Sequence, residues 1–341
     1  APGETAEAIA VVREVSRLVG GTGMLEAHGE GRAAGRGSPD ELYSFSDVAV
    51  VTRTARLLEG LEAAFITEGI PCRLRGARSF LENPHVRNIL AYLRLLLDPG
   101  DDLRFLGALR LAGFDPASAL FSRVREQAAG SGRPLLAETK RQVSNEVPLK
   151  KDSGPAAEFL TGYDHFRRNS GRSPAELVGR LAERFVPEAE RGGEPLLHLA
   201  AAAAGFASLP EFISRIVLAT DGDLERPGGR GWSAAEAVTL MTMHAAKGLE
   251  FRVVFVCALE EGVVPFTWRE TDPDEERRLL FVAMTRASRR LYLTSSEKRI
   301  VRGRPVRPGW SPFVAGLSAD LVQPAELALP ERSRDRQLGL L

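Results

Sequence analysis

The stretch Thr239-Leu-Met-Thr-Met-His-Ala-Ala-Lys-Gly-Leu-Glu-Phe251, continued by Val253-Val-Phe-Val256, decides the fold. Residues 238–243 are apolar with interspersed threonines, which predicts a buried strand. Residues 253–258 predict a second one. Between them His244, Lys247, Gly248 and Glu250 put an imidazole, an ammonium, a glycine and a carboxylate into one short turn. Polar groups crowded at the end of a buried strand are where open α/β sheets take ligands. On spacing alone, a solvated strand–turn–strand fits equally well.

The next informative stretch is Glu275-Glu-Arg-Arg-Leu-Leu-Phe-Val-Ala-Met-Thr-Arg-Ala287. Leu279, Leu280, Val282 and Ala283 recur at helical spacing. Asp272 or Asp274 can cap its start, and Glu275 and Glu276 suit the positive end of the helix dipole. Arg286 leaves the far end, just before an apolar strand at 290–295.

Toward the N-terminus, Ile9, Val12, Val15 and Leu18 predict a helix over 5–19, capped by Thr5 and stopped by Gly20-Gly21. Residues 21–42 are glycine-rich and predict a loop. A strand at 47–51, a helix at 54–68 and a short strand at 70–74 follow, then helices at 84–97 and 101–111. This strand–helix–strand alternation predicts a parallel α/β sheet. Residues 113–231 carry no convincing strand. Helices are expected there at 155–168, 173–185, 195–206 and 209–220, with Ser173-Pro174 a good helix start and loops at 130–133 and 221–231. After Ser296 the chain turns polar and proline-rich. Trp310-Ser-Pro-Phe313 has the look of a short docking segment, and the last residues form a tail.

The chain has 341 residues, enough for two cores, and a formal net charge of zero. No global basic field draws it to nucleic acid, so any such contact must come from a local patch. Basic charge is almost all arginine, with only five lysines. Cys72 and Cys257 sit in apolar runs and are expected to be core residues of a reducing compartment, not a disulfide or metal site. No apolar run reaches membrane-spanning length. No signal peptide is expected from Ala1-Pro-Gly-Glu-Thr, and a cytoplasmic, nucleoid-associated location is expected. No G-x-x-x-x-G-K-[ST] phosphate loop is present; Gly20-Gly-Thr-Gly lacks the lysine and the serine.

Together, TMHAAKGLEF and EERRLLFVAMTRA resemble the last motifs of superfamily 1 DNA helicases of the UvrD/Rep/PcrA kind. Asp47-Val-Ala-Val-Val-Thr-Arg-Thr, Gly69-Ile-Pro, Gly76, Phe80 and Leu90-Ala-Tyr-Leu-Arg-Leu extend the likeness, which covers about 1–112 and 232–315. It implies an α/β, RecA-like parallel-sheet domain interrupted by an all-helical subdomain. Residues 1–112 would be the first part of domain 2A, 113–231 the helical 2B insertion, 232–315 the second part of 2A, and 316–341 a tail. The implied function is the C-terminal portion of an ATP-dependent 3′-to-5′ helicase. ATP with Mg²⁺ would be bound mainly by an N-terminal RecA-like domain, and the chain alone would not hydrolyse ATP.

Residue by residue, Arg286 matches the family's arginine finger. Gly248 and Glu250 match the nucleotide-binding turn, where the carboxylate bonds the ribose. Arg278 lies in the same motif as Arg286, where a structural salt bridge fits equally well. His244 and Lys247 fit contacts to single-stranded DNA phosphates or coupling across the cleft. Arg53 and Thr54 match a motif near the DNA groove. There the family continues with asparagine and glutamine, where this chain has Ala55 and Leu57, which weakens the expectation of polar DNA contacts. Arg302 stands where many relatives carry a base-stacking aromatic. The implied partners are single-stranded and junction DNA and the protein's own N-terminal RecA-like domain. Gln337-Leu338-Gly339-Leu340-Leu341 resembles the short peptide that bacterial proteins insert into the sliding clamp; a tail packed on its own domain is the alternative. A degenerate, non-catalytic helicase-like binding module is the other reading of the whole chain. Lys247, Glu250 and Arg286 are all intact, which favours the motor.

Overall fold

In the computed structural model, the described residues are 1–20, 43–113, 118–145, 154–221, 236–267, 271–301 and 304–324. The first elements are α1 (Glu4–Val19), β1 (Val48–Thr52), α2 (Ala55–Glu68) and β2 (Cys72–Arg75). A helical run follows: α3 (Pro84–Leu97), α4 (Asp102–Leu111), α5 (Ala119–Ser131), α6 (Leu135–Asn145), α7 (Gly154–Arg168), α8 (Pro174–Phe185), α9 (Glu188–Arg191), α10 (Glu194–Ala204) and α11 (Leu209–Asp221). The chain then returns to β3 (Val238–Thr242), β4 (Phe251–Val256), α12 (Pro273–Met284), β5 (Ala287–Leu293), β6 (Arg299–Val301), β7 (Arg304–Val306) and α13 (Pro312–Ala315).

The packing divides the chain into two compact units, one of Ala1–Arg78 with Ala219–Leu341 and one of Ser79–Leu218. In the first unit five parallel strands run in the order β2-β3-β1-β4-β5. Parallel strands need covered faces, and period-2 alternation sorts the side chains between them. Val48, Val50, Leu240, Val253 and Phe255 face α1 and α2, packing on Val11, Val12, Val15, Leu58 and Phe65. Ala49, Val51, Met241, Val254 and Val256 face the other way, toward Ala246 of the 243–250 turn and Leu280 and Ala283 of α12. β6 and β7 make a separate antiparallel pair.

Local chemistry explains most ends. Gly20 stops α1 because it adopts φ +93°, a left-handed conformation that costs glycine nothing. α1 starts one residue earlier than the apolar spacing predicts, with Gly3 rather than Thr5 at its N-cap. Between the two candidate caps of α12, Asp272 takes the place: its Oδ1 accepts from Asp274 N at 3.0 Å. Ser173 caps α8 as expected, accepting from Glu176 N at 3.3 Å. The 310–313 segment does dock on its own unit. Ser311 is buried and its N–H donates to Leu259 O at 2.9 Å, while Phe313 packs against the α12 side of the sheet.

The helical unit differs from the sequence expectation in two ways. Helices α5 and α6 and the four-residue α9 were not expected; α5 buries only Leu120, Phe121, Val124 and Ala128 of its 13 residues, a stripe diluted by polar neighbours. Gly130 and Ser131 belong to α5, so the loop expected at 130–133 shrinks to its last two residues. The unit also begins earlier than the expected boundary at 113. α3 and α4 pack within it, and Tyr92 of α3 meets the rings of Phe159, Tyr163, Phe166 and Phe185. Its closing boundary, at Leu218, also precedes the expected 231. The loop expected at 21–42, all but the first residue of that expected at 221–231, Arg302 and the 337–341 peptide lie outside the described residues, while Asp221 ends α11.

Cys257 is buried just beyond β4, and burial, reinforced by the charge of Glu7, pushes its thiol far up. A protonated, enclosed thiol does not react. In the native chain a thiol reagent is expected to modify the partly buried Cys72 first and Cys257 only on unfolding. Mass spectrometry of the labelled native protein checks this; equal labelling of both would contradict it.

Candidate nucleotide cleft and nucleic-acid edge

The expected site residues sort onto opposite ends of the sheet. β1 and β3 are in register through Thr52 and Thr242, so Arg53 and Thr54 after β1 and His244 after β3 share the carboxyl edge. A hydrogen bond from Met243 N to Thr52 O, 2.8 Å, ties the two chain segments there. β4 and β5 are in register through Phe251 and Ala287, so Glu250 and Arg286, which directly precede them, share the amino edge. Phe251 N donates to Arg286 O at 2.9 Å. A strand of five or six residues separates the edges by roughly 17–20 Å.

At the carboxyl edge Arg53 is paired. Its Nε donates to Glu276 Oε2 at 2.9 Å and its Nη2 to Oε1 at 2.5 Å, a forked carboxylate contact. The guanidinium carbon also lies 5.1 Å from the centre of the Phe266 ring. Glu276 is only 4 % exposed and accepts as well from Phe266 N at 3.0 Å. Burial raises the Glu276 carboxyl, but the bonds from Arg53 and Phe266 and the charges of Arg53 and His244 outweigh it and hold the group below its ordinary value. Thr54 is the half-buried N-cap residue of α2 without a side-chain cap bond, and its carbonyl accepts from Thr52 Oγ1 at 2.8 Å. His244 is exposed.

At the amino edge the partners of Arg286 among the described residues are all neutral. Nε donates to Val282 O at 2.9 Å, Nη1 to Leu249 O at 3.0 Å and Nη2 to Thr285 Oγ1 at 3.1 Å. These contacts aim the guanidinium without cancelling its charge, an arrangement fit for an anion. Gly248 has φ +80°, and a Cβ there would meet nothing within 4 Å. Glycine is therefore needed for the backbone turn, and the space over it is open. Glu250 at this edge and Lys247, midway in the 243–250 segment that crosses from the carboxyl edge of β3 to the amino edge of β4, are exposed and make no hydrogen bond or ion pair among the described residues. Arg278 pairs with Glu275 at 3.5 Å, both exposed, a contact worth about 0–1 kcal/mol. Among the described residues no cluster of three His, Cys, Asp or Glu could hold a metal ion, and no single helix is long and apolar enough to cross a membrane.

Sequence reasoning missed Glu276 and Phe266 as parts of this site. Glu276 was legible only as a carboxylate suited to the helix dipole. Its pairing with a residue 223 positions away follows from the sheet order, which no local pattern encodes.

A five-strand parallel sheet covered by helices on both faces defines a doubly wound α/β domain. The chain belongs to the UvrD-like helicase C-terminal domain family, whose model matches residues 5–129 and 205–298, and this match makes the domain the RecA-like one. Among curated relatives, it is 33% identical over 323 residues to the ATP-dependent DNA helicase UvrD1 of Mycobacterium leprae (strain TN), covering 82% of this chain and 40% of that protein. It is 29% identical over 307 residues to the ATP-dependent DNA helicase PcrA of Bacillus subtilis (strain 168), with the same coverages of 82% and 40%. DNA helicase II of Rickettsia typhi (strain ATCC VR-144 / Wilmington) is 28% identical over 277 residues, 76% of this chain and 41% of that protein. The chain thus spans about 40% of the length of these relatives.

Proposed function

We propose that the chain is the C-terminal portion of an ATP-dependent 3′-to-5′ DNA helicase or translocase. It supplies an arginine finger, part of the nucleotide cleft and part of the single-strand groove. The observation that carries this reading is Arg286: a guanidinium fixed by three neutral partners at the amino edge, with no counter-charge among the described residues. A sheet that held its own nucleotide would do so outside its carboxyl ends. Arg286, Gly248 and Glu250 lie away from that edge, so they suit a nucleotide presented by another domain.

In this reading ATP with Mg²⁺ is held mainly by an N-terminal RecA-like domain and supplies the transferable phosphoryl group. Arg286 neutralises charge that develops on that group, an effect worth roughly 10³–10⁵ in rate in related phosphoryl transfers. Glu250 accepts from a ribose hydroxyl, and the open backbone at Gly248 allows close approach. His244 and Lys247, both exposed, contact single-strand phosphates.

Oligonucleotide binding by the longer protein, followed by fluorescence anisotropy across salt concentrations, tests the DNA half. His244→Ala and Lys247→Ala are each expected to weaken binding, and Lys247→Ala to lower the salt slope by about 0.7, one neutralised phosphate on a single strand. An unchanged slope would reassign Lys247 to the nucleotide cleft.

A further inference from the structure

Glu276 has no role in the reading above, yet it sits where that reading needs a link. It is a buried carboxylate in the first turn of α12, at the carboxyl edge, and it holds an arginine expected to touch DNA. The other end of the same helix carries Arg286, anchored through Nε to Val282 O in the last turn. α12 has 12 residues, a rod of roughly 18 Å. Leu280 and Ala283 set it into the core shared with Ala49 and Val51 of β1. A displacement at its first turn is therefore carried to its last.

We propose that Glu276 is a positioning residue that withholds Arg53 from the single-strand surface and, through α12, links occupation of that surface to the placing of Arg286. The proposal rests on the helicase reading. Its chemistry is a competition between two forked acceptors, the Glu276 carboxylate and a backbone phosphodiester, for one planar guanidinium. Arg53 is reachable at 13 % side-chain exposure, whereas Glu276 at 4 % is not. When a phosphate takes Arg53, Glu276 keeps its bond from Phe266 N but loses its counter-charge, so the pair resists the exchange until a phosphate is in place. Phe266 lies over the guanidinium and keeps it at the edge during the exchange.

The test is Glu276→Gln in the longer protein, which keeps the shape and an oxygen for Phe266 N–H but removes the charge. With Arg53 released, single-strand binding without nucleotide is expected to tighten severalfold. Its salt slope should steepen by about 0.7, one further phosphate contact. The ratio of ATP hydrolysis with and without single-stranded DNA is expected to fall by about tenfold, since the strand no longer moves α12. Glu276→Asp, which keeps the charge, should return both readouts toward the parent. An unchanged slope in Glu276→Gln, a steeper slope with full stimulation, or identical behaviour of the Gln and Asp variants would each overturn the proposal. If the parent protein itself shows no DNA-dependent hydrolysis, the helicase reading fails instead, and the binding slope still reports on Glu276.

Discussion

Arg286→Ala in the longer protein is expected to abolish nearly all ATP turnover, by about 10³-fold or more, while leaving nucleotide affinity within several-fold. The expectation follows from what holds the side chain. Val282 O, Leu249 O and Thr285 Oγ1 fix three guanidinium nitrogens and contribute no negative charge. The residue is therefore pre-aimed, and its charge is free to act on an anion that becomes more concentrated in the transition state than in the ground state. Loss of the side chain removes that stabilisation from the transition state only, so turnover falls and binding does not. The fold should survive, because Arg286 is partly exposed and its removal breaks no ion pair among the described residues. Arg286→Lys should recover little, since a single ammonium cannot reproduce three directed N–H groups. Steady-state phosphate release beside equilibrium nucleotide binding checks both halves. A parallel loss of affinity and turnover would mean that Arg286 binds the ground state.

Arg299→Ala is expected to destabilise the sheet unit by roughly 3–5 kcal/mol. Arg299 is buried between two buried carboxylates. Its Nε donates to Glu260 Oε2, and its Nη2 donates to Glu260 Oε1 at 2.7 Å and to Glu7 Oε2. Each carboxylate is also committed elsewhere. Glu260 accepts from Ser296 N at 2.6 Å and Ser296 Oγ at 2.9 Å; Glu7 accepts from Ala258 N at 3.0 Å and Thr294 Oγ1 at 2.6 Å. This network joins α1, the segment after β4 and the start of β6 into one block. Without the guanidinium, two carboxylates stay enclosed with no counter-charge, which costs more than the original pair gained. Denaturant melts of the chain check this. A loss below about 1 kcal/mol would show that the carboxylates escape by rehydration or protonation.

The legibility of the sequence tracked the range of the interactions. The 239–256 stretch was readable because it holds two buried strands and a turn whose glycine has a purely local reason, φ +80°. α12 was readable from its apolar spacing and its Asp272 cap. The glycine stop of α1 was equally local. The strand order was not readable. β1 lies between β3 and β4, although about 185 and about 200 residues separate it from them in the chain. The division of the expected site residues between two edges, and the Arg53–Glu276 pair, both follow from that order. So does the Glu7–Arg299–Glu260 network, whose members come from both ends of the chain. β6 and β7, three residues each, are too short for a periodic signal. The early start of the helical unit was hidden for another reason: α3 and α4 look like any amphipathic helices, and only packing shows which core their apolar faces join.

The decisive comparison is phosphate release measured side by side on residues 1–341 and on the longer protein, each with and without single-stranded DNA. Residues 1–341 are expected to turn over no ATP under either condition, and the longer protein to turn it over only with DNA present. Turnover by purified residues 1–341 would contradict this, because Arg286, Gly248 and Glu250 would then be serving a nucleotide held by this chain alone.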